Sequence, residues 1–330
     1  MEVRGAKIIG LGSYVPERVL TNFDLEKTVD TTDEWIVSHT GMKERRIAAP
    51  EQATSDLATE AGKAALADAG LAATDLDLVL VATVTPDMLF PSVSSLVQGA
   101  LGASNAGAVD TVVGCTGFVY GLATAAAFVQ SGMANHVLVI AAEALSRIVN
   151  WEDRSTCVLF GDGAGAVVVG PAEPGEGIRG FELWSDGTNS QYLKVPAGGS
   201  RRPLDEQVLQ ERAHLLAMDG HEVFKLAVRG CPDVAEAVMK KVGVTHDDID
   251  WAVFHQANRR ILDAAARRLD IPVERVYCDV GRYANTSAAT IPLAMDDMYK
   301  EGKLKTGNLL LLAGFGAGFS LAAGLVEWTK

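Results

Sequence analysis

Short apolar runs alternate along this chain with longer alanine-rich stretches of helical pattern. One such pair ends in the apolar run that closes at Val81, and another ends in the run that closes at Phe254. In both, a glycine separates the two segments, and this order predicts a helix, a turn and a buried strand. The alternation predicts an α/β fold whose strands are largely parallel and buried on both faces.

The pattern occurs twice, which indicates an internal duplication. Residues 70–77 match residues 243–250 at an offset of 173, and a second register at an offset of 170 places Gly132 opposite Gly302 and Cys115 opposite Asn285. A linker rich in Pro and Gly lies at 171–178. We therefore predict two homologous halves, 1–174 and 175–330. A pseudo-twofold pair puts equivalent loops on one face, so the functional site should lie between the halves.

An uncharged run covers residues 309–326, and its 18 residues are at the lower limit of length for a membrane-spanning helix. Four glycines interrupt it, and glycine disfavours helix interiors. We predict two buried strands around a glycine turn, and no membrane span. The N-terminus carries Glu2 and has no long apolar segment, so it does not resemble a signal peptide.

Composition narrows the class of protein further. The chain has 330 residues, 48% of them hydrophobic, which is enough to bury a large core. A net charge of −13 argues against nucleic-acid binding but permits a local basic patch for an acidic partner. None of the four cysteines forms a C-x-x-C pair, so neither a zinc site nor a disulfide scaffold is indicated. Reduced thiols in the cytoplasm are the expectation.

Cys115 is the strongest candidate for chemistry. It follows a predicted strand at 108–113 and a glycine, and it precedes a predicted helix at 116–131. Free N–H groups and the dipole at a helix N-terminus favour a thiolate, so this position predicts a nucleophile. The alternative is a small buried hydrophobic residue, which is how we interpret the other three cysteines.

His255 and Asn285 are candidates of a second kind. His255 follows an apolar strand at 251–254, and loops after parallel strands line active sites in α/β folds. Asn285 lies where a helix is predicted to begin, a position at which asparagine commonly serves as an N-cap. A structural role is the alternative for both residues. The duplication favours function for Asn285, because it places Asn285 opposite Cys115 at an equivalent helix start.

Seven motifs in order resemble the ketoacyl-acyl-carrier-protein synthase III family, from residue 7 to about residue 328. The resemblance implies the thiolase fold, in which two duplicated halves form five layers, αβαβα. It also implies a homodimer. The motifs are Thr-Asp-Glu-Trp-Ile-Val at 32–37, Thr-Gly-Met-Lys-Glu-Arg-Arg at 40–46, Cys-Thr-Gly-Phe at 115–118, Phe-Gly-Asp-Gly-Ala-Gly at 160–165, His-Gln-Ala-Asn at 255–258, Asn-Thr-Ser-Ala-Ala at 285–289 and Phe-Gly-Ala-Gly-Phe at 315–319.

The resemblance implies an acyltransferase that starts fatty acid synthesis. Cys115 would take an acyl group from acyl-CoA, and His255 and Asn285 would assist decarboxylation of malonyl-acyl-carrier protein. The carbanion would then attack the acyl-enzyme and give a 3-ketoacyl-carrier protein, with no cofactor or metal. Backbone N–H groups of Cys115 and Ala317 would bind the acyl-enzyme oxyanion, although the family more often has glycine where Ala317 stands.

Binding residues are also implied by the resemblance. Contacts with CoA would come from Trp35, His39, Arg154, His221 and Asn258. Two of these depart from the family pattern, which often has Arg where His39 stands and Asn where His221 stands. A basic helix after residue 258 would dock the acidic carrier protein, through Lys225, Arg259, Arg260, Arg267 and Arg268. The acyl channel would be lined by Phe90, Leu145, Phe160, Leu193 and Leu216.

Four alternatives stay open. A starter-unit ketosynthase of a polyketide or secondary-metabolite pathway has the same fold and the same three catalytic residues. Thiolases, elongating synthases and HMG-CoA synthase use a second cysteine, a second histidine or a glutamate instead, so Asn285 argues against them. A papain-like hydrolase also uses Cys, His and Asn, but the duplicated α/β pattern disfavours it. The last alternative is a binding protein without activity.

Overall fold

The computed structural model describes residues 4–330 and contains two central sheets. The first has strand order β1-β7-β6-β4-β5, and the second has order β11-β12-β13-β8. The strands are β1 Gly5–Tyr14, β2 Arg18–Thr21, β3 Glu44–Ile47, β4 Leu78–Ala82, β5 Gly107–Thr111, β6 Val137–Ala144, β7 Asp162–Ala172, β8 Ile178–Ser185, β9 Leu193–Lys194, β10 Ala217–Met218, β11 Trp251–Phe254, β12 Leu309–Gly316 and β13 Ser320–Glu327. The helices are α1 Asn22–Leu25, α2 Asp33–Thr40, α3 Thr54–Ala69, α4 Val93–Leu101, α5 Gly117–Gln130, α6 Arg154–Cys157, α7 Glu206–Gln210, α8 Gly220–Val242, α9 Arg259–Arg268, α10 Val280–Tyr283 and α11 Thr290–Lys300.

Helices cover both faces of each sheet. Side chains alternate along β4, so that Leu78 and Leu80 pack toward α5 while Val79 and Val81 pack toward α3 and α4. Helices α5 and α11 lie between the two sheets, and α8 and α9 cover the outer face of the second sheet. These five layers confirm the αβαβα architecture that the family resemblance implied.

The expectation of largely parallel strands is wrong. Strand β4 pairs in parallel with β5 and β6, and β11 with β12, but β7 is antiparallel to both of its neighbours. Strand β13 is likewise antiparallel to β12 and β8. A continuous apolar run indicates that a strand is buried on both faces of its sheet. Layers of helices bury both faces of parallel and antiparallel strands alike, so the run does not indicate strand direction.

The glycine-interrupted run at 309–326 forms strands β12 and β13, an antiparallel pair in the core of the second sheet, as predicted. No helix within residues 4–330 has the length and apolar character needed to cross a membrane. The linker prediction falls in the turn at 173–177, where the chain leaves the first sheet and enters the second. The division at 174/175 stays a prediction.

The structure contains the helix, turn and strand unit twice. Helices α3 and α8 both end at a left-handed glycine, Gly70 and Gly243, and each leads through a short turn into a buried strand. Helices α5 and α11 begin at Gly117 and Thr290, which is the same offset of 173.

The second register, which placed Asn285 opposite Cys115, is therefore wrong at this point. This register aligns the two left-handed glycines that follow α5 and α11, Gly132 and Gly302. Their offset is 170 instead of 173 because α11 is three residues shorter than α5. Asn285 lies five residues before α11, in an extended segment that forms a parallel bridge with Phe160.

Candidate active site

Cys115 occupies a tight turn, Gly114–Thr116, that leads directly into α5. Gly114 has φ +57°, a conformation that favours glycine. The end of β12 packs against this turn so closely that a Cβ on Gly316 would lie 2.5 Å from the Cys115 nitrogen. Backbone from both halves of the chain therefore sets the position of the thiol, which is 7% exposed.

The electrostatics of this thiol differ from the sequence-based expectation. Burial raises the pKa of Cys115 to about 12, a contact with the Ser287 hydroxyl lowers it, and the nearby Glu143 carboxyl raises it. A helix N-terminus contributes at most about 2 kcal/mol. The rise from 9.0 to about 12 corresponds to about 4 kcal/mol, so burial outweighs the helix. The thiol is protonated at neutral pH and must lose its proton when it reacts.

His255 follows β11 and is 1% exposed. Burial lowers its pKa to about 3, so the ring is neutral. Nδ1 lies 2.7 Å from the Thr290 hydroxyl, and the edge of the ring meets Phe315. Nε2 is buried and has no hydrogen-bond partner among residues 4–330. An unpaired buried nitrogen is costly, which indicates that a substrate atom is its partner.

Thr290 decides which nitrogen of His255 carries the proton. Its hydroxyl lies 3.0 Å from the Ser287 carbonyl and 2.7 Å from Nδ1, and it has one hydrogen to donate. When that hydrogen points to the carbonyl, Nδ1–H donates to Thr290 and Nε2 is an acceptor. When it points to Nδ1, Nε2–H becomes the donor that faces the cavity.

Asn285 presents its amide to the same space. Its Oδ1 accepts the Ser287 backbone N–H at 2.8 Å, so the NH2 group is the end left to donate into the cavity. The backbone is anchored to the neighbouring loop, because the nitrogen donates to the Leu159 carbonyl at 2.9 Å and the carbonyl accepts from Gly161 at 3.1 Å. Asn285 is not an N-cap of α11.

Two cavities meet at Cys115. One, of about 180 Å³, is shared by Cys115, His255, Asn285 and Asn258 and opens beside α8 and α9. The other, of about 230 Å³, has an apolar lining and is closed by Ser287 and Ala317 on the side of the thiol. Four of the five predicted acyl-channel residues line this second cavity, namely Leu145, Phe160, Leu193 and Leu216.

Phe90 is the fifth; it lines neither of these cavities, and its assignment to an acyl channel stays a prediction. It is 83% exposed and follows two other exposed apolar side chains, Met88 and Leu89. The segment projects from the loop between β4 and α4 instead of turning inward. Three consecutive exposed apolar residues are typical of a surface that is covered by another molecule.

The two segments that carry the predicted oxyanion donors are in contact. A Cβ on Gly114 would be 2.8 Å from the Ala317 nitrogen, so the Cys115 turn and the segment after β12 are in direct contact. Ala317 is not among the residues with positive φ. Its side chain therefore costs no backbone strain, and the N–H donor survives the replacement of the usual glycine.

The predicted CoA residues cluster at the mouth of the first cavity. The Arg154 guanidinium lies 4.7 Å from the centre of the Trp35 ring, and the His39 ring stacks on Trp35 at 4.4 Å. The Asn258 amide donates to the His39 carbonyl at 3.1 Å and so ties α9 to α2. His221 is exposed next to Gly220, which lines the cavity.

The five predicted carrier-docking residues on α8 and α9 are not equivalent. Three of the five are paired with acids on the surface: Lys225 with Glu222, Arg259 with Asp263 and Arg268 with Asp233. Arg260 and Arg267 form no ion pair among residues 4–330, although Arg260 lies over the Phe224 ring. Among the five predicted residues, only these two carry charge that no acid within residues 4–330 neutralises.

Three polar residues of the site were missed from the sequence: Glu143, Ser287 and Thr290. Ser287 lies within the Asn-Thr-Ser-Ala-Ala motif, and Thr290 directly follows it. For Glu143 the available signal was a single acid inside the apolar run of β6, because a charge there must be buried with the strand.

Comparison with known proteins agrees with the geometry. Models of 3-oxoacyl-[acyl-carrier-protein] synthase III match residues 109–187 and, for the C-terminal part, residues 239–328. A beta-ketoacyl-[acyl-carrier-protein] synthase III from Caldanaerobacter subterraneus subsp. tengcongensis is 54% identical, over 98% of each chain. The crystal structure of 3-oxoacyl-[acyl-carrier-protein] synthase III from Aquifex aeolicus superposes with TM-score 0.91 at 46% identity, and covers 98% of this chain and 100% of that one.

A related structure is more distant in sequence. The priming beta-ketosynthase of the R1128 polyketide pathway superposes with TM-score 0.93 at 36% identity, and covers 100% of this chain and 98% of that one. Fold alone therefore does not separate the two kinds of enzyme, whereas full-length identity above 50% does. The chain belongs to the beta-ketoacyl-[acyl-carrier-protein] synthase III family.

Proposed function

We propose that this protein catalyses the initiating condensation of type II fatty acid synthesis. An acyl-CoA primer acylates Cys115, and malonyl-acyl-carrier protein then condenses with the acyl-enzyme to give 3-ketoacyl-acyl-carrier protein, CO2 and CoA. The observation that carries the proposal is the convergence of Cys115, His255 and Asn285 on one cavity, with a separate apolar cavity behind the thiol.

The first half-reaction is a thioester exchange, so it needs no cofactor. The Cys115 sulfur attacks the acyl carbonyl, the backbone N–H groups of Cys115 and Ala317 hold the oxyanion, and the CoA thiolate leaves. The acyl chain enters the apolar cavity. The CoA portion occupies the mouth, where adenine would insert between Trp35 and Arg154 and near His39, His221 and Asn258.

The second half-reaction builds negative charge at a different place. Loss of CO2 from the malonyl group places charge on its thioester oxygen, and we assign the stabilising donors to His255 Nε2–H and the Asn285 amide. A neutral histidine suits this role, because it donates a hydrogen bond without giving up its proton. The carbanion attacks the acyl group and expels the Cys115 thiolate.

Two measurements test the function. Incubation with radioactive acetyl-CoA should label Cys115 stoichiometrically, which a binding protein without activity would not allow. Addition of malonyl-acyl-carrier protein should then release CO2 together with the label, which a hydrolase would not do. Repeating the assay with acetyl-, isobutyryl- and longer acyl-CoA would show which primer fits the cavity. Labelling without CO2 release would contradict the proposal.

We expect Thr290→Val to slow condensation about tenfold and to change acylation little. Valine has the same shape, but it removes the hydroxyl that contacts Nδ1, so the tautomer and the orientation of the His255 ring are no longer fixed. A loss of about 1.4 kcal/mol corresponds to this factor. Single-turnover kinetics separate the two steps, and Thr290→Ser, which keeps the hydroxyl, is the control. Equal condensation rates in the valine variant and the parent would contradict this role for Thr290.

We expect His39→Arg to tighten acyl-CoA binding by about 1 kcal/mol. Nδ1–H of His39 donates to the Trp35 carbonyl at 2.7 Å, which leaves Nε2 as the ring atom that can face the CoA phosphates. An arginine at this position is always charged and can hold a phosphate through two parallel hydrogen bonds. Affinity would be measured in a Cys115→Ala background, which blocks turnover.

Ser38→Arg is the matched control for His39→Arg. It adds the same charge at the neighbouring exposed position but keeps His39. Its affinity for acyl-CoA should therefore stay closer to that of the parent. Equal affinity in the parent and in His39→Arg would mean that His39 only packs on Trp35.

A homodimer would cover the exposed side chain of Phe90. Within its own chain Phe90 does not reach the acyl cavity, but the exposed segment of Met88, Leu89 and Phe90 suits a contact between two copies. We propose that this segment is part of the dimer interface and that Phe90 contributes to the acyl site of the partner. We propose that the enzyme acts in the cytoplasm.

A starter-unit ketosynthase is the second candidate, and the R1128 structure is the observation that favours it. The two candidates share the first half-reaction and differ in the carrier protein that supplies the malonyl group. A comparison of malonyl groups on a fatty-acid carrier and on a polyketide carrier separates them. We expect the fatty-acid carrier to be preferred.

A further inference from the structure

Glu143 is a buried acid that the proposed chemistry does not use. It lies in β6, has no exposed surface and forms no ion pair among residues 4–330. Its carboxyl accepts hydrogen bonds from the Thr85 hydroxyl at 2.6 Å, the Thr83 hydroxyl at 3.2 Å and the Val84 N–H at 3.1 Å. Burying an acid without a cation is expensive, so its position needs an explanation.

One further contact connects Glu143 to the reacting sulfur. The Ser287 hydroxyl donates to the Glu143 carboxyl at 3.1 Å. The turn that begins at Ser287 packs against the Gly114–Thr116 turn, and Ser287 and Cys115 line the same apolar cavity. In this position the Ser287 hydroxyl lowers the pKa of the Cys115 thiol. Ser287 is held for this contact in an uncommon backbone conformation with φ +52°. With its hydrogen on Glu143, the Ser287 oxygen is free to accept the S–H of Cys115.

We propose that Glu143 accepts the proton of Cys115 through the Ser287 hydroxyl, and returns it when condensation releases the cysteine. The proposal rests on the acylation of Cys115 described above. It makes Ser287 a contact of the reacting atom, and it makes Glu143 a positioning residue that acts through Ser287.

The protons balance over the full cycle. As sulfur attacks the thioester, the S–H proton moves to the Ser287 oxygen while the Ser287 proton moves to the Glu143 carboxylate. The S–C bond to the acyl group forms, and the bond to CoA breaks. The CoA thiolate takes a proton from water. When the carbanion later displaces Cys115, the thiolate regains its proton from Glu143 by the reverse path. The enzyme is then back in its starting state. Over the whole cycle the malonyl carboxylate is lost as neutral CO2, and the CoA thiolate has taken up one proton from water.

The electrostatics favour this arrangement. A carboxylate beside a thiolate would put two negative charges in one buried site, whereas transfer along the relay keeps the number at one. Burial raises the pKa of Glu143 to about 7, which is near the value that suits a proton acceptor at neutral pH. Glu143 can also hold the proton during condensation, so that the carbanion forms beside a neutral group.

The other titratable groups around the site do not compete. His255 is neutral, and its pKa of about 3 makes it too weak a base to hold the proton of this thiol. Asp162, on the neighbouring strand β7, accepts hydrogen bonds from the Ala48 N–H and from Ser146, and it lines neither cavity at Cys115. The remaining contacts of Glu143 are hydroxyls and backbone N–H groups that do not titrate in this range.

The test is the pH dependence of Cys115 reactivity, measured in two ways. Alkylation by iodoacetamide reports the thiol without any substrate, and single-turnover acylation by acetyl-CoA reports the proposed reaction. In the parent protein both rates should rise through about pH 7, as Glu143 loses its proton. Glu143→Gln and Ser287→Ala should each remove this rise and slow acylation about 100-fold at pH 7.5. The double variant should be no slower than the single ones.

Thr83→Val is the matched control, because it removes a hydrogen bond to Glu143 and leaves Ser287 in place. Loss of a donor to the carboxylate raises its pKa, so the rise in rate should move to higher pH while the plateau is kept. If Glu143→Gln does not fold, Ser287→Ala carries the test alone. A parent-like rise near pH 7 in Ser287→Ala would overturn the relay. Normal alkylation profiles without labelling by acetyl-CoA would instead contradict the proposed function.

Discussion

Replacing Cys115 by alanine will abolish acyl-enzyme formation, whereas Asn285→Ala and His255→Ala will still accept the acyl group and will fail at condensation. Acylation requires the sulfur, and its oxyanion is held by backbone N–H groups that these two substitutions keep. The carbanion depends on the side-chain donors. Removal of one such donor costs about 3 kcal/mol, which slows condensation on the order of 100-fold.

Single-turnover labelling followed by addition of malonyl-acyl-carrier protein measures the two steps separately. Asn285→Asp is a sharper variant than alanine, because it keeps the oxygen that accepts the Ser287 N–H and replaces only the NH2 donor. We expect it to condense as slowly as Asn285→Ala. Condensation at the parental rate in Asn285→Ala would show that the assignment of Asn285 is wrong.

Charge reversal at Arg260 and Arg267 will weaken the use of malonyl-acyl-carrier protein and leave acylation by acyl-CoA almost unchanged. These are the two basic residues of α9 that have no acidic partner among residues 4–330, so their charge is free to meet an acidic protein. Like charges brought together at an interface cost several kcal/mol, so kcat/KM for the carrier substrate should fall on the order of 100-fold at low salt. The salt dependence of that constant should flatten.

The matched control reverses two lysines on other faces of the molecule. Lys63 lies on α3, which covers the outer side of the first sheet, and Lys305 follows α11 at the end remote from Thr290. Lys63→Glu with Lys305→Glu makes the same change in net charge, and it should leave kcat/KM for the carrier substrate within about twofold of the parent. Equal loss of both half-reactions in the Arg260 and Arg267 variant would indicate misfolding or a site shared by both substrates.

The local pattern of the chain was a reliable guide where the structure depends on neighbours in sequence. The two helix, turn and strand units that are related by an offset of 173 were predicted, as were the glycine-separated strands at 309–326 and the turn that carries Cys115. These features follow from hydrophobic period and from glycine conformations, which a few adjacent residues decide. The family motifs also predicted the αβαβα layers, because a family resemblance implies the known fold of that family.

The predictions that failed concern relations between distant segments. The predicted strand direction was wrong, because a strand that is buried on both faces has the same apolar sequence whether it is parallel or antiparallel to its neighbours. Asn285 was placed at a helix start, whereas a bridge to Phe160 holds it five residues earlier.

The sequence by itself determined which segments form helices and strands, which cysteine begins a helix, and which family the chain resembles. The tertiary structure alone decided the chemistry of the site. Cys115, Glu143, His255 and Ser287 come from separate segments of the chain, and packing of the two sheets around α5 and α11 brings them together. Their pKa values depend on how completely that packing excludes water, and this burial is a property of the assembled fold.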